Sequence, residues 1–289
     1  MTKVANSVAR RRPWAALLIA VLVTAAAAGK AAAAPPDPTL EAGFRAMYGL
    51  DFRAAAKFFG DFQQAHPQDP MGYAADSTRL VFSELHRLKL LEAQFEPTNR
   101  GFFASPSGAP DPEIKRQILE LTSRADGLSE ARLRANPADE HALFALALTN
   151  GILGDYFAAV EHRYWGSVKY GRQGDEYARK LLERNPEFYD AYLWTGVTNY
   201  IYGSLSLPVR WTARLFGLRG DKSTGVANLQ LAAEKGQYLR PYAKVLLAVA
   251  YLREKNRPAA AALLAQLSSE FPGNDLFAAQ ARRLQANGS

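Results

Sequence analysis

Apolar residues recur at helical spacing through almost the whole chain after residue 35, and prolines end the apolar segments. In "LEAGFRAMYGLDFRAAAKFFGDFQQAHP", small residues stand at Gly43 and Ala55, where two short helices would cross closely. Phe59 would fill the space between these helices, and Pro67 would close the unit. The pattern predicts a helical hairpin that cannot bury its apolar face alone and must stack on a neighbour.

A second unit near the C-terminus follows the same plan. "AKVLLAVAYLREKNRPAAAALLAQLSSEFP" places Ala248, Ala260 and Pro272 at equivalent positions, with Asn256 and Pro258 in the turn. This spacing is that of tetratricopeptide repeats. The sequence therefore predicts an all-α protein, a right-handed superhelix of tetratricopeptide-like helical hairpins.

The repeats between these two units are degenerate. Pro137 and Pro186 close two further helices, but the intervals between the closing prolines are unequal. A long loop is predicted at 93–112, where four prolines and two glycines exclude a continuous helix. Its phenylalanines are expected to pin the loop to the protein body; they are Phe95, Phe102 and Phe103.

Residues 1–34 have the pattern of a secretory signal peptide. Basic residues precede an uncharged apolar run from Ala15 to Ala28, and an alanine-rich stretch ends before Pro35. The run of 14 residues is shorter than the roughly 20 residues of a membrane span. We expect a periplasmic or otherwise extracytoplasmic protein with one helical-repeat domain at 35–289; an uncleaved anchor is the alternative.

Charge and composition remove several classes of function. The chain carries 35 basic and 28 acidic residues, and the five bases and no acids of 1–34 account for most of the excess. The remainder is nearly neutral, so nucleic acid is not expected as a partner. The sequence has no cysteine, which excludes thiol nucleophiles, thiolate zinc sites and iron–sulfur clusters. No metal or cofactor is predicted, and we expect no enzymatic activity.

Residues 143–276 resemble bacterial exported tetratricopeptide-like proteins, which are distantly similar to the mitochondrial Iml2 and tetratricopeptide-39 family. The resemblance implies a helical-repeat fold without enzymatic activity, and it names no ligand. It is carried by these positions: Pro186, Asp190, Ala191, Tyr192, Gly196, Tyr200, Gly203, Gly220, Asp221, Gly225, Leu229, Ala232, Gly236, Ala243, Leu247, Tyr251, Ala260, Leu267, Pro272 and Asn274.

Aromatic residues give the strongest functional signal. Twelve of the 32 aromatic residues lie between Tyr156 and Tyr202. They would either fill the core or line the concave groove of a solenoid, where a protein or peptide could bind. Trp194 is expected in the core, and Tyr189, Tyr192 and Tyr200 on the open face. The predicted partner-binding residues are Tyr156, Tyr164, Tyr189, Tyr192 and Tyr200.

Two alternatives remain open in the same half of the chain. A glycan-binding or hydrolytic envelope protein could use the aromatic cluster 156–202 with the carboxylates of Glu161, Asp175 and Glu176. The segment 207–220 spaces apolar residues at helical intervals among arginines, as a membrane-surface helix does. We favour packing of this segment across a repeat junction, because it spans barely three turns. Membrane contact is expected only through this segment or the N-terminal one.

The loop Gly217–Thr224 superficially resembles a phosphate-binding loop. Asp221 separates Gly220 from Lys222, and the order of residues therefore does not fit that motif. We expect a turn in which Asp221 or Ser223 caps the following helix, which Gly236 ends.

Our first prediction concerns the N-terminus. Cleavage after the alanine-rich stretch should leave Pro35 or a nearby residue at the start of the mature protein. Mass spectrometry of protein recovered from the extracytoplasmic fraction measures this directly. Recovery of the intact chain with Met1 from the cytosol would contradict the prediction.

Overall fold

A computed structural model describes residues 37–93, 95, 106–215 and 217–286. The predicted signal peptide at 1–34 lies outside these residues. Within them the protein is all-α, with thirteen α-helices and no strand. The helices are α1 Pro38–Tyr48, α2 Phe52–Ala65, α3 Pro70–Arg87, α4 Leu90–Ala93, α5 Pro112–Ala135, α6 Glu140–Ala159, α7 Tyr164–Arg184, α8 Tyr192–Gly203, α9 Leu207–Leu215, α10 Lys222–Lys235, α11 Arg240–Arg253, α12 Arg257–Glu270 and α13 Asp275–Ala286.

Local sequence signals set most helix boundaries. Three helices begin with an Asp-Pro pair, and the aspartates are Asp37, Asp69 and Asp111. In each pair the Asp carboxylate accepts hydrogen bonds from the first backbone N–H groups of the helix. The proline occupies the first turn, where its missing N–H costs no hydrogen bond. Asp221 caps α10 through Thr224 N, and Gly236 follows its last residue, as predicted. Asn256 caps α12.

The helices pack mainly in sequence order. The pairs α1–α2, α3–α5, α6–α7, α8–α10 and α11–α12 each form an extensive contact, and each pair also contacts the next. The first helices of successive pairs touch as well, in α1–α3, α3–α6 and α8–α11. The central helix α6 is long and apolar enough to cross a membrane, with a mean hydropathy of 1.4, but 78% of that apolar stretch is buried. It is the core helix of the packed body.

Glycines permit the closest helix crossings. A Cβ at Gly43 in α1 would lie 2.3 Å from the Phe59 ring in α2, so the predicted roles of both residues are confirmed. Ala55 is fully buried in the same crossing. A Cβ at Gly225 in α10 would lie 2.4 Å from the backbone nitrogen of Tyr200 in α8. These helices approach to backbone contact, which no larger residue permits.

The long loop is tied to the body by one buried acid. Glu84 in α3 is fully buried, and its Oε1 accepts a hydrogen bond of 2.8 Å from the backbone N–H of Asp111. Arg87 donates to both Glu84 oxygens at 2.7 Å and to the carbonyl of Ala109 at 2.8 Å. Phe95 is buried, as predicted; Phe102 and Phe103 lie outside the described residues.

The first and last helical pairs meet and close the array. Asn274, before α13, donates a hydrogen bond of 2.8 Å to the carbonyl of Tyr48 at the end of α1. The Tyr238 hydroxyl accepts one of 2.9 Å from the backbone N–H of Asp37. The Tyr48 ring lies 5.9 Å from that of Phe271. The two ends of the chain therefore share one core.

Side chains fill the interior where sequence analysis predicts a concave groove. Tyr242 in α11 packs edge-on against Phe82 in α3, with ring centroids 5.3 Å apart, and donates a hydrogen bond of 3.0 Å to Asp155 in α6. The space left near Tyr48, Phe82 and Tyr242 is a cavity of about 40 Å³. That volume holds little more than a water molecule. An extended peptide does not fit in this cavity.

A prediction about stability follows from the α1–α2 crossing. Gly43→Leu should destabilise the fold by about 3 kcal/mol, because the new side chain overlaps the buried Phe59 ring. Thermal unfolding followed by circular dichroism measures the change. Gly60→Ala in α2 is the matched control, since no atom lies within 4 Å of its Cβ position. The control should gain about 0.5–1 kcal/mol from helix propensity, and equal effects of the two changes would contradict the close crossing.

A second prediction concerns the interior acid. Burial raises the pKa of Asp155 from 3.8 to about 6. The folded protein therefore holds this proton more tightly than the unfolded chain does, and the resulting stability is lost as the pH rises from about 4 through about 6. Asp155→Asn should remove that loss, which is roughly 3 kcal/mol for a shift of about two pKa units.

Chemical denaturation across this pH range gives the free energy of unfolding at each point. The exposed Asp61, paired with Lys57, provides the control substitution Asp61→Asn, which should leave the pH profile as it is. An unchanged profile for Asp155→Asn would show that this carboxyl does not contribute the pH dependence.

Candidate functional sites on one helical hairpin

Helices α7 and α8 form a hairpin that positions both candidate sites. A Cβ at Gly174, midway along α7, would lie 3.4 Å from Trp194 in α8. Burial raises the pKa of Tyr202 at the end of α8, and the nearby guanidinium of Arg172 opposes that rise. The connector 185–191 thus marks one end of the hairpin. Away from the connector, the end of α8 lies near Arg172 in the middle of α7, and the start of α7 extends beyond it. The 21 residues of α7 span about 30 Å.

Two of the five predicted binding tyrosines are buried, which corrects the sequence prediction. Tyr156 is 1% exposed and Tyr200 is 6% exposed. The Tyr200 hydroxyl donates hydrogen bonds to the carbonyl of Ala250 at 3.3 Å and to Glu254 Oε1 at 3.0 Å. Neither ring can anchor a partner on a surface. Trp194 is buried, as predicted for a core residue.

Tyr189 and Tyr192 remain accessible at the connector end. Both rings are half-buried, and they stack with centroids 6.3 Å apart and planes 27° apart. The Lys235 ammonium lies 5.0 Å from the centre of the Tyr189 ring, a cation–π contact that orders the ring. Within the described residues, neither hydroxyl has a hydrogen-bond partner. We call Tyr189, Tyr192 and Lys235 the tyrosine platform.

A buried aspartate holds the tyrosine platform rigid. Asp190 is 2% exposed, and its carboxylate accepts hydrogen bonds from the backbone N–H groups of Gln237, Tyr238 and Leu239 at 2.9–3.3 Å. These bonds join the start of α8 to the turn between α10 and α11. Burial raises the pKa of Asp190, and the three N–H donors oppose that rise.

In the sequence, Asp190 stands out only as a position of resemblance. Its role as the acceptor for three backbone N–H groups is visible only in the structure. An acid within the apolar run 188–194 was the available signal, because a buried carboxylate requires donors.

The other end of the hairpin carries most of the exposed large apolar side chains. Trp165 is 89% exposed, Trp211 72% and Leu215 75%, and the predicted packing of α9 across a repeat junction is therefore wrong. The fifth predicted tyrosine, Tyr164, lies in this group, and only Leu119 among the exposed large apolar residues of the described chain lies elsewhere. We call this set the apolar surface: Tyr164, Trp165, Val168, Ile201, Leu207, Val209, Trp211 and Leu215.

Helix α9 lies in the segment 204–220, which begins directly after α8 and returns to the same end of α8. Arg210 donates a hydrogen bond of 3.4 Å to the carbonyl of Gly203, the last residue of α8. Beyond α9, the backbone N–H of Asp221 donates to Asn199 Oδ1 at 3.3 Å. Gly217 takes the left-handed conformation, with φ 75°, in the turn between them. The segment is thus held to α8 on both sides of α9. Its apolar residues Leu207, Trp211 and Leu215 are exposed to solvent.

The two segments that carry the apolar surface are rich in basic residues, of which Arg163 pairs with Glu161 at 3.5 Å. Residues 162–174 contain Arg163, Lys169 and Arg172, and residues 204–220 contain Arg210, Arg214 and Arg219. Neither segment contains aspartate or glutamate. Sequence analysis identified the arginines of α9 but not the matching composition at the start of α7.

The carboxylates considered for catalysis are not brought together. Glu161 pairs with Lys115 at 2.5 Å, Asp175 with Arg179 at 2.8 Å and Glu176 with Lys180 at 2.8 Å. Glu161 precedes α7, whereas Asp175 lies about 17 Å along the helix axis from the first residue of α7. The described residues contain no cluster of three or more histidine or acidic side chains suited to a metal ion.

Comparisons with known proteins identify no relative of this chain. No family model matches it, and neither the curated proteins nor the solved structures include a detectable match. Function is therefore inferred from the residues and packing of the tyrosine platform and the apolar surface.

Proposed function

We propose that the chain is a non-enzymatic helical-repeat scaffold of the cell envelope that binds a protein or peptide through the tyrosine platform. The underlying fold is a right-handed superhelix of tetratricopeptide-like hairpins, closed by contact between its ends. The sequential pairing of helices and the small residues at their crossings support this fold. Gly196 and Gly225, which carry the resemblance to the Iml2 and tetratricopeptide-39 family, both lie at the α8–α10 crossing.

The observation that carries the binding role is the stacked, half-buried pair of Tyr189 and Tyr192 with unpartnered hydroxyls. Tyrosine contributes a rigid apolar ring and a polar group, which is why it is enriched in protein interfaces. The Asp190 hydrogen bonds fix the backbone beneath the rings, so little conformational entropy is lost on binding. Lys235 adds a positive charge beside the rings, which favours a partner segment with an acidic residue.

A glycan is the second candidate partner for the same residues. Stacked aromatic rings with free hydroxyls suit the apolar face and hydroxyl edge of a sugar ring. The candidate carboxylates each pair with a cation and do not face one another, which favours binding over hydrolysis.

Substitutions should separate binding tyrosines from core tyrosines. Tyr189→Ala and Tyr192→Ala should each weaken the partner by roughly thirtyfold, while the melting temperature stays within a few degrees. Tyr200→Ala should instead destabilise the fold by about 3 kcal/mol, because it empties a buried site. Circular dichroism gives the melting temperatures, and titration of the captured partner gives the affinities.

The partner can be captured with a photo-crosslinking phenylalanine at position 192, activated in intact cells. The matched control places the same residue at Tyr177, a half-buried ring on α7. A discrete protein adduct at 192 that is absent at 177 supports the proposal. Binding to an array of envelope glycans that is lost in Tyr189→Ala favours the second candidate. If all three alanine variants unfold alike, the platform is part of the core and the proposal is wrong.

A further inference from the structure

The apolar surface lies at the end of the α7–α8 hairpin away from the tyrosine platform, and the proposed function leaves it unused. Its helix α9 arranges Leu207, Trp211 and Leu215 four residues apart, in one stripe about 80° wide. Ala213, the buried residue of α9, lies about 160° around the helix from Trp211. The stripe therefore points away from the protein body.

We propose that the apolar surface docks the protein onto an anionic lipid membrane. Tryptophan, tyrosine and leucine are the residues that enter the headgroup region of a bilayer. Arginine and lysine beside them attract anionic headgroups, and six such residues stand in the two segments that form this surface without one acid. The charge favours an anionic occupant over a zwitterionic one, and the strongly exposed Trp165, Trp211 and Leu215 favour a lipid surface over an acidic protein.

The position of the basic residues around α9 fits this orientation. Arg214 lies about 60° from Trp211 around the helix, so that it flanks the apolar stripe. Arg214 and Arg219 are exposed and form no ion pair among the described residues. Long arginine side chains reach headgroup phosphates while the apolar stripe enters the bilayer. On the neighbouring helix, Trp165 adds a second point of contact at the same end of the hairpin.

A helix of nine residues binds lipid weakly by itself. Two points of contact with shared positive charge produce reversible, peripheral docking instead of insertion. Docking of this kind is sensitive to salt, because the basic residues are exposed to solvent. It differs from anchoring by the predicted N-terminal segment, and the experiment has to separate the two.

Tryptophan fluorescence can report on the apolar surface alone. We would use the full chain with Trp14→Phe, so that the N-terminal segment carries no tryptophan. Adding Trp165→Phe leaves Trp211 as the only exposed reporter, with the buried Trp194 as background. The probe is a vesicle of brominated phosphatidylcholine, alone or mixed equally with phosphatidylglycerol, because bromine quenches only tryptophans that enter the bilayer. The variant with Trp165→Phe and Trp211→Phe measures the Trp194 background.

We expect quenching of Trp211 on the anionic vesicles, and little on phosphatidylcholine alone. Arg214→Glu with Arg219→Glu should lower the apparent partition coefficient roughly tenfold or more. The matched control is Arg53→Glu with Arg282→Glu, which changes the net charge equally at exposed sites elsewhere and should retain binding. Circular dichroism confirms that each variant is folded.

Absence of Trp211 quenching on anionic vesicles would overturn the proposal and leave an acidic protein as the occupant to test. Equal quenching on both vesicles, or equal loss in both double variants, would also overturn it, because the specific charge contact is then missing. None of these results bears on the tyrosine platform, whose crosslinking test uses other residues.

Discussion

The helices bury their inner faces because the first helical pair packs against the last. A helical hairpin leaves one apolar face uncovered, and an open solenoid exposes such faces along its groove. Here the contact of Asn274 with the Tyr48 carbonyl and of Tyr238 with Asp37 joins the two ends. Near this junction, Phe82 is buried and Tyr242 and Asp155 are partly buried against it. Apolar side chains at both ends of the chain are thereby removed from water.

Two acids lie where helices from distant parts of the sequence meet. Asp190 is buried and Asp155 is partly buried. Asp190 accepts hydrogen bonds from three backbone N–H groups, whereas Asp155 accepts, among the described residues, one from the Tyr242 hydroxyl. The better-satisfied acid supports the tyrosine platform, and the poorly satisfied one contributes stability that depends on pH. The different hydrogen-bond partners of Asp190 and Asp155 explain why the two acids have different roles.

Local features were predictable from the sequence because they depend on nearby residues. The Gly43 crossing with Phe59, the Asp221 cap and the end of α10 at Gly236 each rest on short-range steric and hydrogen-bonding rules. The exposure of individual tyrosines was not predictable. Helical periodicity placed Tyr200 with Tyr192 on one face, but α11 covers Tyr200 and leaves Tyr192 accessible. That difference depends on a contact 50 residues away along the chain.

The exposure of α9 was also not predictable from the sequence. In this case residues expected to be packed are exposed. Leu207, Trp211 and Leu215 have the spacing of a packed amphipathic helix, and the same spacing serves a helix that faces a membrane. The anchoring of the segment 204–220 to α8 leaves the stripe exposed, which excludes packing on the body, and the membrane remains the proposal to be tested. Helix α9 follows α8, whose 12 residues span about 18 Å from the connector that carries the tyrosine platform. The platform and the apolar stripe of α9 therefore lie at opposite ends of α8, and a substitution in one is not in contact with the other.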